Sequence, residues 1–220
     1  MANDTGFSPI GLQIARVDAR GKILDITDPS PMPQVHDPKK KDREGRKARA
    51  PRMEINFCNY GGNESVTHRH WVDCDTLRLL AWDLVNTQTG DKRGKFYEPI
   101  LNEYKGGDME RVGSHEFDRP KLISRRMSVS FNDGLDMGEV YQVNFEAKDG
   151  VRGKTGQVTP DKGGETYFKD SINIPVETAR KVGLCILEHL QAKRAAAYAT
   201  HRFARSISHR DDEEDEQVEV

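Results

Sequence analysis

Two histidines, two aspartates and a cysteine fall between positions 68 and 75, in the order His68-x-His70-x-x-Asp73-Cys74-Asp75. Histidines at i and i+2 of a strand share a face, and imidazole nitrogens with a thiolate or carboxylate form a transition-metal donor set. His68, His70 and Cys74 are therefore the candidate metal ligands of the chain, with Asp73 as a substitute third donor. The competing reading is architectural. In it the histidines are ordinary strand residues, and Asp73 and Asp75 cap the helix that "TLRLLAWDLVN" begins.

The stretch "GNESVTHRH" resembles the first half of the cupin metal motif, which implies a metal-dependent enzyme at His68 and His70. The glutamate that this family places a few positions on is replaced by Cys74 or Asp75, and no second motif with a third histidine follows. The architectural reading is the expectation. "GKT" at Gly153-Lys154-Thr155 invites a phosphate-loop reading, but the glycine required five positions earlier is Lys148, and the segment joins two strands instead of opening a helix. No G-x-S-x-G, H-E-x-x-H or C-x-x-C appears. We expect a non-catalytic protein without a cofactor.

Charge offers a stronger lead. The last ten residues, "DDEEDEQVEV", carry seven acids and no base, so the rest of a chain whose net charge is −2 stands at +5. A basic body with an acidic tail suits a polyanion partner. "KKKDREGRKARAPR" sets eight cations against two acids and has almost nothing to bury, and four prolines between positions 29 and 38 precede it. Residues 29–52 read as a flexible basic linker in which Lys39, Lys40, Lys41, Arg43, Arg46 and Lys47 can meet phosphates. The three widely spaced cysteines suit free thiols in a reducing cytosol. No run of about 18 apolar residues and no basic-then-apolar leader is present, so a cytoplasmic protein without a membrane partner is expected.

The elements follow from periodicity. Residues 1–28 hold a possible hairpin in "LQIARVDARGKILDI"; a core domain spans 53–205, and 206–220 read as a disordered acidic tail. "MEINFCNY" and "SVTHRHWV" alternate as strands, while Leu77, Leu80, Ala81, Leu84 and Val85 form one helical stripe behind Asp75. Residues 91–118 resist assignment. "KLISRRMSVSF", "VYQVNFEA" and "TYFKDSINI" each show one apolar and one polar face, and "VETARKVGLCILEHLQAKRAAAYATHRF" is a long amphipathic helix. The predicted fold is α+β: a curved antiparallel sheet covered on one face by helices, with a long C-terminal helix.

The polar face of that sheet carries the candidate binding residues. Arg126, Ser128, Ser130, Gln142, Asn144, Tyr167, Lys169, Ser171 and Asn173 join cations, hydrogen-bonding groups and an aromatic ring on one surface. Unstacked bases need such a surface. Lys148, Arg152 and Lys154 on the following hairpin can add phosphate contacts, and Arg69 with Trp71 can extend the face if the second strand lies beside it. The order of elements over roughly 119–195 resembles the PC4/Whirly-like group of single-stranded nucleic-acid-binding folds. That resemblance implies a single-stranded DNA or RNA partner, association into homo-oligomers through the helices, and recruitment of a protein partner by the acidic tip, residues 211–220. The alternative expectation is an accessory subunit of a larger, possibly nucleic-acid-processing, complex.

Overall fold

The computed structural model describes residues 11–30, 51–61, 65–86, 100–135 and 138–216, with the backbone alone at 133–135 and 201–216. The basic segment at 31–50 and the end of the tail at 217–220 therefore lie outside the described residues.

The chain folds as α+β in two successive units, each of antiparallel strands followed by a helix. In the first, β1 (Leu12–Ala19), β2 (Lys22–Asp28), β3 (Arg52–Asn59) and β4 (Val66–Asp73) pair in sequence order and lead into α1 (Cys74–Asn86). In the second, β5 (Leu101–Val112), β6 (His115–Leu135) and β7 (Gly138–Arg152) pair in order. β9 (Thr166–Pro175) flanks β7 along its first half, and the short β8 (Val158–Pro160) flanks its far end. α2 (Val176–Glu216) closes the unit.

Period-2 alternation gives each sheet one apolar face, and the two apolar faces meet. Phe57 of β3 stacks on Phe145 of β7 with ring centroids 4.9 Å apart, and it touches Phe168 of β9 at 6.1 Å. Leu77, Leu80, Ala81 and Leu84 of α1 and Ala179, Val182, Ile186 and Leu190 of α2 join the same core. The second sheet is thus covered by helices and also by the first sheet. The helices cross at Gly183, where a Cβ would stand 2.8 Å from the Ala81 carbonyl oxygen.

The β1–β2 hairpin expected in residues 1–28 is an integral part of the core, because β2 pairs with β3 from Lys22↔Asn59 to Thr27↔Glu54. It carries the anchor of α2. The carboxylate of Asp28, fully buried, accepts hydrogen bonds from Lys193 Nζ at 2.7 Å and lies 2.9 Å from His189 Nε2. Burial works against its charge, yet these two partners and the Ser30 amide hold its carboxyl below the usual carboxylate range.

Three local expectations change. Asp75 lies inside the first turn of α1 and not before it; Asp73 precedes the helix, with its carboxylate on Arg52 Nε at 2.7 Å. β5, within the span that resisted assignment, is a full strand of 12 residues. The acidic tail is continuous with α2 as far as Glu216 instead of being irregular from 206.

Candidate functional site

The histidines of the opening motif face the core. His68 and His70 are 5% and 0% exposed, pointing from β4 into the space between the sheets. Their rings are nearly parallel with centroids 6.2 Å apart, and the His68 ring packs on Phe168 and Phe145. Burial pushes His68 down to about 3, with the neighbouring His70 and Arg125 adding to the effect. His70 is also lowered by burial, although Glu103 of β5 stands 3.5 Å from its Nε2 and opposes the shift. That distance is too long for a full hydrogen bond, and His68 Nε2, both His70 nitrogens and Glu103 Oε2 make no hydrogen bond, although Lys105 Nζ stands 3.6 Å from Glu103 Oε2. Cys74 begins α1; burial raises its thiol. Among the described residues no group of three histidine, cysteine, aspartate or glutamate side chains is arranged to hold a metal ion. The stretch is a strand running into a helix.

The uncovered face of the second sheet is where polar side chains converge. Register places them in three rows across β5, β6, β7 and β9. Asn102, Ser128, Asn144 and Ser171 form one row, flanked on one side by Tyr104, Arg126, Glu146 and Lys169. On the other side stand Ser130, Gln142 and Asn173. Of these, Arg126, Ser128, Ser130, Asn144, Glu146, Lys169 and Ser171 line an open groove of about 570 Å³. Arg126 Nε donates to Asn102 Oδ1 at 2.8 Å, and its guanidinium lies over the Tyr104 ring, 5.6 Å from the centroid. Gln142 Nε2 donates to Asn173 Oδ1 at 3.3 Å. Ser130, Asn144, Glu146 and Lys169 bond to no side chain among the described residues, so their capacity is free for a ligand, while Ser128 is buried in the middle row.

The β7–β8 hairpin closes one end of the groove. Val158 lies over Gly106 and Gly150, so close that a Cβ on either would stand 2.4 or 2.6 Å from it. Ser124 is buried in the same row. Of the hairpin cations, Arg152 pairs with Asp108 at 3.5 Å and Lys148 donates to the Lys162 carbonyl at 3.3 Å, while Lys154 is exposed near the tip.

Two expected members of this surface are elsewhere. Tyr167 is the unpaired residue of a bulge in β9, where Ala147 pairs with Phe168 and Lys148 with Thr166. A bulge rotates a side chain off the simple alternation, and Tyr167 donates to Asp149 Oδ1 at 2.9 Å beside Lys121, on the face that continues the core side. Phe117 and His115 pack edge-on against it. Arg69 and Trp71 belong to the first sheet and point away from the second, because the two apolar faces lie between them. They do not extend the groove. Lys39, Lys40, Lys41, Arg43, Arg46 and Lys47 lie outside the described residues.

The residues that sequence reasoning missed are Asn102 and Tyr104. Both sit on β5, whose inward positions include Glu103 and Lys105. Charges on the core side erase the apolar alternation that marks a strand.

No protein-family model matches the chain, nor does any curated protein or solved structure.

Proposed function

We propose that this protein binds single-stranded DNA or RNA without catalysis, through the uncovered face of its second sheet. The observation that carries the reading is the three-row array of Arg126, Ser128, Ser130, Gln142, Asn144, Glu146, Lys169, Ser171 and Asn173, with Tyr104 alongside and four of its groups, Ser130, Asn144, Glu146 and Lys169, unengaged. A flat open surface that offers hydrogen bonds, an aromatic ring and cations suits unstacked bases with their phosphates at the margin. A duplex, whose bases are already paired, has less use for it. The first unit has four antiparallel strands and the second five, each followed by a helix. Lys154 and the basic segment at 39–47 add phosphate contacts, and the acids at 211–216 compete for the same cations.

The test is fluorescence anisotropy of a labelled mixed-sequence single strand across a salt series, with the full chain and with Lys169→Ala. Binding is expected to weaken steeply with salt, and Lys169→Ala to weaken it further while reducing the salt slope by about one. No binding at low salt overturns the reading.

The rival, an accessory subunit docked to another protein, has one observation in its favour. Leu79 and Trp82 of α1 are 70% and 60% exposed, and Leu184 of α2 is exposed beside the helix crossing. A monomer that binds no nucleic acid but whose melting temperature rises on adding a partner protein would favour it.

A further inference from the structure

The groove floor is short of positive charge for a phosphate track. Its three rows hold two cations, Arg126 and Lys169, and between them in register stands a carboxylate, Glu146. Asp170, in register with Phe145, turns its carboxylate to the core side, where it is bonded to Lys22 Nζ at 2.5 Å and to Asn59 Nδ2 at 2.6 Å. A phosphate placed over the central strand would meet Glu146 at close range, unscreened by any ion pair of its own. The remaining floor is amide and hydroxyl, from Ser128, Ser130, Asn144 and Ser171, with Gln142 and Asn173 in the row beside it. Groups that both donate and accept match base edges.

The spacing agrees. Residues on one face of a strand repeat every ~7 Å, about twice the ~3.4 Å rise of stacked bases. Bases seated on successive rows are therefore unstacked, with their edges turned to the sheet.

Resting on the reading above, we infer that the groove reads base edges, and that Glu146 selects bases carrying an exocyclic amino group, cytosine first. A carboxylate accepts the cytosine N4 hydrogen, and nothing on thymine or uracil offers a donor at that position. Arg126 and Lys169, on the strands either side, hold the phosphates that flank the bound base. The ligand class is a cytosine-containing single strand.

The experiment measures binding of labelled oligo-dC, oligo-dT and an abasic strand of equal length to the full chain and to Glu146→Gln. For the native chain, oligo-dC is expected to bind about tenfold tighter than oligo-dT, and the abasic strand weakest. Glu146→Gln should bring oligo-dC and oligo-dT level and leave the salt slope unchanged, whereas Lys169→Ala should lower the slope and keep the preference. Equal binding of all three strands overturns base reading while the single-strand function stands. A preference that survives Glu146→Gln overturns the role of Glu146. Failure of every strand to bind removes the underlying function itself.

Discussion

The His68 imidazole lies parallel to the Phe168 ring, with centroids 5.4 Å apart and planes 10° from coplanar, in the layer where the two sheets meet. An imidazole in that position acts as an aromatic spacer with an unsatisfied nitrogen, His68 Nε2. Phenylalanine would supply the same packing without the buried polar atom. His68→Phe is expected to leave stability at pH 7 unchanged or raise it by about 1 kcal/mol, as measured by urea denaturation. A loss of more than that would mean the nitrogen has a partner role.

The same histidine makes the sandwich sensitive to acid. Its folded pKa, about 3, lies below the ordinary value of 6.5, so the unfolded chain takes up the proton first. The contribution is complete above pH 6.5 and is lost as pH falls from there towards 3, with His70, also lowered, adding in the same direction. Each histidine adds a slope of up to about 1.4 kcal/mol per pH unit. Unfolding free energies measured between pH 7 and 4 should fall more steeply for the native chain than for His68→Phe.

Asp28→Asn tests the anchor of α2. The substitution leaves Lys193, itself largely buried, facing a neutral amide. The expected loss is about 3 kcal/mol, since removing one partner of a buried ion pair strands the other charge. Because the carboxyl is held below its usual range, native stability from this site is present above about pH 4 and disappears below it. Thermal melts at pH 7 and pH 3 should show the gap between native and variant narrowing at the lower pH.

Gly183→Ala should force the helices apart. The new methyl would meet the Ala81 carbonyl oxygen at 2.8 Å and Val85 Cγ2 at 2.9 Å, and backbone cannot yield as a flexible side chain does. A destabilisation of about 1–3 kcal/mol is expected, visible as a lower midpoint in denaturant. Ala192→Gly, on an exposed stretch of the same helix, should cost no more than about 1 kcal/mol.

Tyrosine substitutions separate the two faces of the second sheet. Tyr104→Ala removes the ring beside Arg126 on the groove face and should weaken single-strand binding by about 1–3 kcal/mol. Tyr167→Ala, on the other face with Lys121 and Asp149, should leave affinity within twofold. Anisotropy titrations of both variants decide the assignment, and an equal loss from each would sink it.

Much of the candidate groove was legible because the signal is local. In "VYQVNFEA" every second residue is apolar, and in "KLISRRMSVSF" Ile123, Met127, Val129 and Phe131 keep the same alternation with Arg125 as its one break, so Arg126, Ser128, Gln142 and Asn144 had to share the opposite face. Tyr167 escaped the same logic because one extra residue in β9 breaks the alternation there, and a bulge has no compositional mark at that position. β5 escaped it because Glu103 and Lys105 face inward, where apolar residues are expected.

The amino-acid sequence by itself determined which side chains travel together: the strand faces, the apolar stripes of α1 and α2, and the charge contrast between body and tail. Alternation and helical period are properties of neighbouring residues, so they survive without knowledge of the partner. Only the tertiary structure decided that β2 reaches across more than twenty residues to pair with β3, that His68 and His70 look inward at Phe145 and Glu103, and that Arg69 and Tyr167 stand away from the groove. Those outcomes depend on which apolar face meets which. That choice belongs to the packing of the whole core, where burial of two complete sheet faces outweighs the preference of any single side chain.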